Sequence, residues 1–174
     1  MIEDPAELPP EKGVDLVRKA QDLCVRQLTV RARSREELRQ AMTKREIPEE
    51  VAELVLGRLD RAGLLDDAAF AEEWVRSRHT HRGLSRRALV AELRRKGVAD
   101  SVAAEAASAV DEEDERERAR ELVRKRMGSL GSVDETTKLR RLVGVLARKG
   151  YSEGLAIRVV REELGGADGA AEFD

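Results

Sequence analysis

Residues 85–98 read SRRALVAELRRKGV, and the order of residue types in this stretch predicts one short helix. Serine is a favoured N-cap residue, so Ser85 marks the start of the helix. Leu89 and Leu93 follow one helical turn apart and place an apolar stripe on one face. Gly97 stands where the helix should end, because glycine adopts the left-handed conformation common at that position.

The same helix ending occurs three times in the chain. Residues 44–47 read KREI, residues 94–98 read RRKGV and residues 147–151 read ARKGY, so their last residues lie 51 and 53 positions apart. Apolar residues recur at three fixed distances from that last residue. Nine positions before it lie Leu38, Leu89 and Leu142; five before it lie Met42, Leu93 and Leu146; and four after it lie Val51, Val102 and Leu155. Self-similarity at a period of about 50 residues indicates tandem helical units. Glu46 departs from the pattern, since the other two endings have glycine there.

Helical periodicity continues along the chain, and strand-like alternation of any length does not occur. Each repeat needs three short helices, because one or two could not bury their apolar faces. The predicted helices are 14–31, 34–45, 48–62, 66–80, 85–96, 99–112, 114–128, 136–149 and 152–164. The prediction is therefore an all-α protein with repeats at 14–65, 66–112 and 113–164. Residues 1–13 and 165–174 lack the periodicity, and we expect them to be disordered.

The composition narrows the range of functions. Of the 174 residues, 39% are charged and 2% aromatic, which leaves few rings for stacking on bases. No apolar run approaches the roughly 20 residues that span a bilayer, and the N-terminal segment is acidic and rich in proline. We expect neither a signal peptide nor a membrane anchor. Cys24 is the single cysteine, so an intrachain disulfide is impossible and we expect the reducing cytoplasm. We also expect a monomer.

The sequence offers no arrangement of residues suited to catalysis or to metal binding. The two histidines, His79 and His81, would diverge by about 200° on a helix and could not share a metal ion. Glycine-rich phosphate loops and nucleophile-elbow motifs are absent from the sequence. Asp66 and Asp67 are explained by a helix start, where carboxylates complement the helix dipole. We therefore predict a binding protein, with no enzymatic activity, cofactor or metal.

One segment, residues 76–96, carries nearly a single sign of charge. The segment contains eight basic residues and one acidic residue, Glu92, which gives a net charge of +7 in 21 residues. The candidate binding residues are Arg76, Arg78, Arg82, Arg86, Arg87, Arg94, Arg95 and Lys96. A solvated helix face is the simpler explanation of such a run, but the single sign favours a binding surface. A nucleic-acid backbone and an acidic protein groove both fit it.

The helices predicted after Ile47 and Val98 are acidic or bland, which argues against a helix that reads a base sequence. We expect Phe70 and Trp74 in the core rather than on a stacking surface, because both lie on one helical stripe. Binding through the basic segment would then depend on charge and not on base identity.

Residues 63–98, GLLDDAAFAEEWVRSRHTHRGLSRRALVAELRRKGV, closely resemble the signature segment of the regulatory protein RecX family. The similarity lies in LDD at 65–67, FA at 70–71, EL at 92–93 and KG at 96–97, and in Arg78, Gly83 and a base at Arg86 or Arg87. The first repeat resembles the family through LT at 28–29 and RSREEL at 33–38. The resemblance covers residues 15–164 in the family's order.

This resemblance implies three tandem three-helix repeats that form a curved, elongated molecule. It also implies a modulator, usually an inhibitor, of the RecA recombinase in homologous recombination, DNA repair and the SOS response. Such proteins lie in the groove of the RecA filament on single-stranded DNA and oppose ATP hydrolysis and strand exchange. Contact with single-stranded DNA alone is expected to be weak and salt-dependent. The alternative is a stand-alone helical DNA-binding or scaffold protein with no recombinase partner.

Overall fold

The computed structural model describes the backbone of residues 10–169, which form helices and no strand. The nine helices of this range are α1 Pro10–Val30, α2 Arg35–Lys44, α3 Glu49–Arg61, α4 Asp67–Arg82, α5 Arg86–Arg95, α6 Asp100–Ala107, α7 Glu112–Met127, α8 Glu135–Arg148 and α9 Glu153–Gly169. Each predicted helix has a counterpart in this series. The all-α prediction is thereby confirmed.

Two helix ends correct the prediction of disorder. Helix α1 begins at Pro10 and α9 ends at Gly169, so residues 10–13 and 165–169 are helical. Proline suits the first helical position, where its fixed φ is already correct and its missing N–H is no loss. At the other end, a formed helix extends at little cost per residue, even beyond the last apolar position. The other residues predicted to be disordered, 1–9 and 170–174, lie outside the described residues.

Helix α6 is also shorter than predicted, because it ends at Ala107 instead of residue 112. Asp111 is the N-cap of α7: its carboxylate accepts from the Asp114 N–H at 2.8 Å, and the Asp114 carboxylate accepts from the Asp111 N–H at 3.1 Å. An N-cap residue has an extended backbone, here φ −81° and ψ 177°, so one helix cannot continue through it. The acidic run that begins at Asp111 is therefore explained by a helix start.

The chain divides into two compact units. Within the described residues, the first comprises 10–73 with Leu93–Ala103, and the second comprises Trp74–Glu92 with 104–169. The core of the first unit includes Leu23, Cys24, Leu38, Met42, Val51, Val55, Leu56 and Leu59. The core of the second includes Ala119, Val123, Leu142, Leu146, Tyr151, Ala156, Val159 and Val160. In the first unit, each helix of the first repeat buries one face, and in the second unit each helix of the third repeat does the same.

The apolar residues that recur at equivalent positions form three columns across the repeats, and two of these columns are fully buried in every repeat. At most 1% of the surface is exposed for each member, namely Leu38, Leu89, Leu142, Met42, Leu93 and Leu146. The third column is less uniform, since Val51 is buried but Val102 and Leu155 are only partly buried. The equivalence of the repeats is thus strongest along the second helix of each.

These second helices end with the same hydrogen bond. In each, a backbone N–H donates to the carbonyl five residues earlier: Ile47 to Met42 (3.1 Å), Val98 to Leu93 (3.0 Å) and Tyr151 to Leu146 (3.2 Å). The residue before each donor has positive φ: Glu46 at 60°, Gly97 at 80° and Gly150 at 92°. This is the Schellman ending, in which the last carbonyls find donors and an apolar residue closes over the helix. Glu46 therefore occupies the predicted glycine position and adopts its backbone conformation.

Successive repeats meet through these endings. In the first unit, the Ser34 hydroxyl donates to the Lys96 carbonyl at 2.7 Å and accepts from the Glu37 N–H at 3.1 Å. In the second unit, the Ser85 N–H donates to the Lys149 carbonyl at 3.0 Å, while its hydroxyl accepts from the Ala88 N–H at 3.1 Å. The N-cap serine of one second helix thus holds the end of the next repeat's second helix.

We expect Leu93→Ala to lower the free energy of unfolding by about 2–4 kcal/mol, since a fully buried leucine leaves both lost burial and a cavity. Chemical denaturation measures this loss. A change below about 0.5 kcal/mol is typical of a surface position and would contradict the repeat alignment.

A second prediction concerns the close contact at Gly150. A Cβ there would lie 2.5 Å from the Ala88 Cβ and 2.6 Å from the Ser85 Oγ, whereas a Cβ at Gly63 would meet nothing within 4 Å. Both glycines have positive φ, so alanine at either position has the same type of backbone strain. We expect Gly150→Ala to lower the unfolding free energy by about 1–3 kcal/mol more than Gly63→Ala, because of overpacking. Equal losses in chemical denaturation would show that the contact contributes nothing.

Candidate partner-binding surface

The eight predicted binding residues are divided between the two units. Arg76, Arg78, Arg82, Arg86 and Arg87 belong to the second unit and lie on α4 and the first turn of α5. Arg94, Arg95 and Lys96 belong to the first unit, at the end of α5. Four of the eight are engaged in contacts within their own unit, and four are not.

Arg78 is held by an aromatic ring and a carboxylate. Its guanidinium carbon lies 4.3 Å from the centre of the Trp74 ring, a cation–π contact, and its Nε lies 3.9 Å from Glu92 Oε2. Trp74 Nε1–H donates to the same Glu92 oxygen at 2.9 Å. Trp74 is therefore only partly buried, which corrects its predicted core position, because the indole N–H needs a polar partner. Phe70 has no such group and is buried, as predicted.

Three other bases also have acidic partners. The backbone N–H of Arg86 donates to Glu115 Oε1 at 2.7 Å, and its side-chain Nε lies 3.5 Å from the same oxygen. Arg94 Nε donates to Asp100 Oδ1 at 2.7 Å, although both side chains are well exposed. Lys96 Nζ lies 4.0 Å from Glu37 Oε2. Charge reversal at these positions would disturb internal contacts as well as any partner.

The remaining four bases are exposed, namely Arg76, Arg82, Arg87 and Arg95. Within the part of the chain that the structure describes, no ion pair includes any of them. Because these charges stabilise no internal contact, they are available to an anionic partner.

The turn between Arg82 and Arg87 is fixed by hydrogen bonds within the second unit. The Tyr151 hydroxyl donates to the Gly83 carbonyl at 2.7 Å, and Arg118 Nη2 donates to the Thr80 carbonyl at 2.8 Å. His79 Nδ1 lies 2.9 Å from the Leu84 carbonyl, which can only accept a hydrogen bond. The backbone that positions the two unpaired arginines is thus ordered before any partner binds, which reduces the entropy lost on binding.

A second group of bases, which the sequence analysis did not select, lies in the first unit. Arg33, Lys44 and Arg45 line an open groove of about 610 Å³ together with Arg95 and Lys96. The signal that could have indicated it is the pair of adjacent basic residues within each repeat ending. The sequence alone could not show that two of those endings share a groove.

Glu37 is the acidic residue of this groove, and its charge is already compensated. Arg31 Nη2 donates to Glu37 Oε2 at 2.7 Å, and the Ser34 N–H donates to Glu37 Oε1 at 3.3 Å. Burial raises the pKa of Glu37, but the hydrogen bonds from Arg31 and Ser34 and the charge of Lys96 together hold it below its ordinary value of 4.5. The carboxylate is ionised at neutral pH and is bound on several sides.

The direction of this pKa shift predicts the pH dependence of stability. A carboxylate with a lowered pKa stabilises the fold fully above pH 4.5, its ordinary value, and this stabilisation is lost as the pH falls through the lower pKa of the folded state. We expect Glu37→Gln to lower stability at pH 7 and to differ less from the parent protein near pH 3. Urea denaturation at both pH values measures this, and a constant difference would contradict it.

Other kinds of site receive no support among the described residues. No group of three or more His, Cys, Asp or Glu side chains lies together there in a way that could hold a metal ion. Burial raises the pKa of Cys24 to about 11, so its thiol stays protonated inside the core. None of the helices described is both long and apolar enough to cross a membrane.

These features define a class: a tandem three-helix-repeat protein with exposed clusters of basic residues. Family models give the particular family. Residues 20–59, 66–106 and 112–160 match the first, second and third three-helix domains of RecX. The chain belongs to the RecX family.

Relatives support the same assignment over most of the length. The chain is 63% identical to "Regulatory protein RecX" of Amycolatopsis mediterranei over 160 residues, which cover 92% of this chain and 90% of the relative. It is 52% identical to the protein of that name from Streptomyces coelicolor over 157 residues, covering 88% and 84%. These relatives are named as regulators, not as enzymes.

Solved structures confirm the fold. The crystal structure of RecX from Lactobacillus salivarius aligns with a TM-score of 0.77 at 20% identity, covering 86% of this chain and 97% of that one. A second crystal structure, of regulatory protein RecX, gives 0.78 at 23% identity, covering 88% and 79%.

Proposed function

We propose that this protein binds the RecA filament on single-stranded DNA in the cytoplasm and lowers RecA ATP hydrolysis and strand exchange. It acts by binding and carries out no chemistry of its own. The observation that carries the proposal is the 63% identity to a regulatory protein RecX over nearly the whole chain. The exposed, unpaired arginines on the fixed turn of the second unit supply the anion-binding surface that such an interaction needs.

Tandem repeats suit a filament as partner. A filament presents the same protein surface and the same DNA backbone at regular intervals, so each repeat meets an equivalent target. Contacts that are weak one by one then combine through effective concentration. Affinity for single-stranded DNA alone is expected to be weak and to fall steeply with salt, because phosphate neutralisation releases counterions.

The direct test is RecA ATPase on single-stranded DNA with and without the protein. We expect the rate to fall as the protein is added. An unchanged rate, together with salt-sensitive DNA binding, would favour the stand-alone DNA-binding or scaffold protein instead.

A charge-reversal variant locates the surface. We expect Arg76→Glu, Arg82→Glu and Arg87→Glu together to raise the concentration needed for half-inhibition of RecA ATPase at least tenfold. Each reversal turns an attraction to phosphate or carboxylate groups into repulsion. The melting temperature should stay nearly unchanged, because exposed, unpaired side chains typically contribute within about 0.5 kcal/mol.

The matched control reverses three exposed arginines of α8 and α9 in the same unit, Arg140, Arg141 and Arg158, which form no ion pair within the described residues. It makes the same change in net charge and should weaken inhibition less. Arg86 is left out of the variant, because it contacts Glu115 and its reversal would disturb that internal contact. If the α4–α5 variant inhibits at the parent concentration, the binding face lies on another repeat.

A further inference from the structure

The groove of the first unit described above is formed by three helices. Helix α1 contributes Leu23 and Gln27, α2 contributes Gln40 and Lys44, and the end of α5 contributes Arg95. Its volume, about 610 Å³, is in the range of ligand-binding sites, but it is an open groove. The first of the two units thus has an anion-binding candidate of its own.

The charge of this groove is strongly positive and largely uncompensated. Five bases line it against one acid, Glu37, which Arg31 holds from outside the lining and which lies 3.9 Å from Arg33 and 4.0 Å from Lys96. Lys44, Arg45 and Arg95 are exposed, and no ion pair within the described residues includes them. An anion entering the groove would therefore meet several cations that need not first give up a partner.

The lining is typical of a nucleic-acid interface and not of a protein interface. The apolar part is limited to Leu23, which is 6% exposed, and Ala41, and the lining contains no aromatic residue. Protein partners usually anchor large apolar or aromatic side chains in such places, whereas nucleic-acid interfaces are more polar and much more positive. The amides of Gln27 and Gln40 add hydrogen-bonding groups suited to phosphate and sugar oxygens.

Helix ends explain some of these bases but not their arrangement. Lys44 and Arg95 are the last residues of α2 and α5, where a cation stabilises the helix dipole by about 0.3–1 kcal/mol. That effect operates separately at each helix end. It does not account for two basic ends that open onto one groove.

We infer that this groove binds the phosphodiester backbone of a nucleic-acid strand, independently of base sequence. The inference deepens the proposed function and rests on it, since the RecA filament would supply that strand. It assigns a direct DNA contact to the first unit, at residues distinct from the arginines of the α4–α5 turn.

The test uses the full chain and a fluorescent oligothymidylate, with binding followed by anisotropy over a range of salt concentrations. The variant combines Lys44→Gln, Arg45→Gln and Arg95→Gln. Each phosphate contact on a single strand contributes about 0.7 to the slope of log affinity against log salt, so the slope should fall by about 2. Affinity at low salt should fall about tenfold or more.

The matched control neutralises three exposed bases of α1 and α3 that do not line the groove and form no described ion pair: Lys19, Arg26 and Arg61. We expect it to keep most of the slope and affinity. Equal losses in both variants would assign DNA binding to net charge and overturn the inference. An unchanged slope in the groove variant would also overturn the inference. Poly-glutamate, measured in the same assay, represents an acidic protein partner. If the groove variant loses poly-glutamate binding and keeps oligothymidylate binding, the groove binds an acidic protein and the inference is wrong.

RecA ATPase measured on the same proteins separates the inference from the proposed function. If the parent protein inhibits RecA but the groove variant keeps its DNA affinity, the inference is wrong and the proposed function stands. If the parent protein leaves RecA unaffected while the groove variant loses DNA affinity, the proposed function is wrong and the groove remains a DNA site.

Discussion

The contact between an N-cap serine and the end of the next repeat's second helix is the constraint on which this architecture depends. Ser34 and Ser85 are the buried polar residues among those the structure describes, and buried polar groups must be hydrogen-bonded. Each serine caps its own helix, and each also donates to a carbonyl of the following repeat, at Lys96 or Lys149. One residue therefore starts a helix and joins two repeats, which couples local folding to repeat stacking.

This constraint also explains where glycine is required. A Cβ at Gly97 would overlap the side chain of Glu36, and a Cβ at Gly150 would overlap Ala88 and Ser85. At these positions glycine serves both the positive φ and the close approach of two repeats. Glu46 has the same positive φ, but it is exposed, so only the backbone strain applies there. The first repeat can therefore lack the glycine and still have the same backbone geometry at its ending as the other two repeats.

Much of this could be predicted from the sequence, because the signals are local. The capping box of Ser34 and Glu37, the cap at Ser85 and the glycines at the helix ends each depend on residues within a few positions. What could not be predicted depends on residues far apart in the chain. The partner of Arg86 is 29 residues away, and Arg95 shares a groove with Arg33 and Lys44 only once the chain has folded. A run of bases therefore indicates a positive surface, but not which of its charges remain unpaired.

The repeat endings combine a backbone contact between repeats with basic side chains. The atoms that join the repeats are the backbone carbonyls of Lys96 and Lys149, and a backbone carbonyl is present whatever the side chain is. The side chains around these carbonyls can therefore be basic at no cost to the repeat contact. Arg95 lies at such an ending with its charge exposed, and Lys44 and Arg45 are the exposed bases of the first repeat's ending. Because the repeats are joined there through the backbone, the charge of the groove can be altered while the stacking of the repeats is preserved.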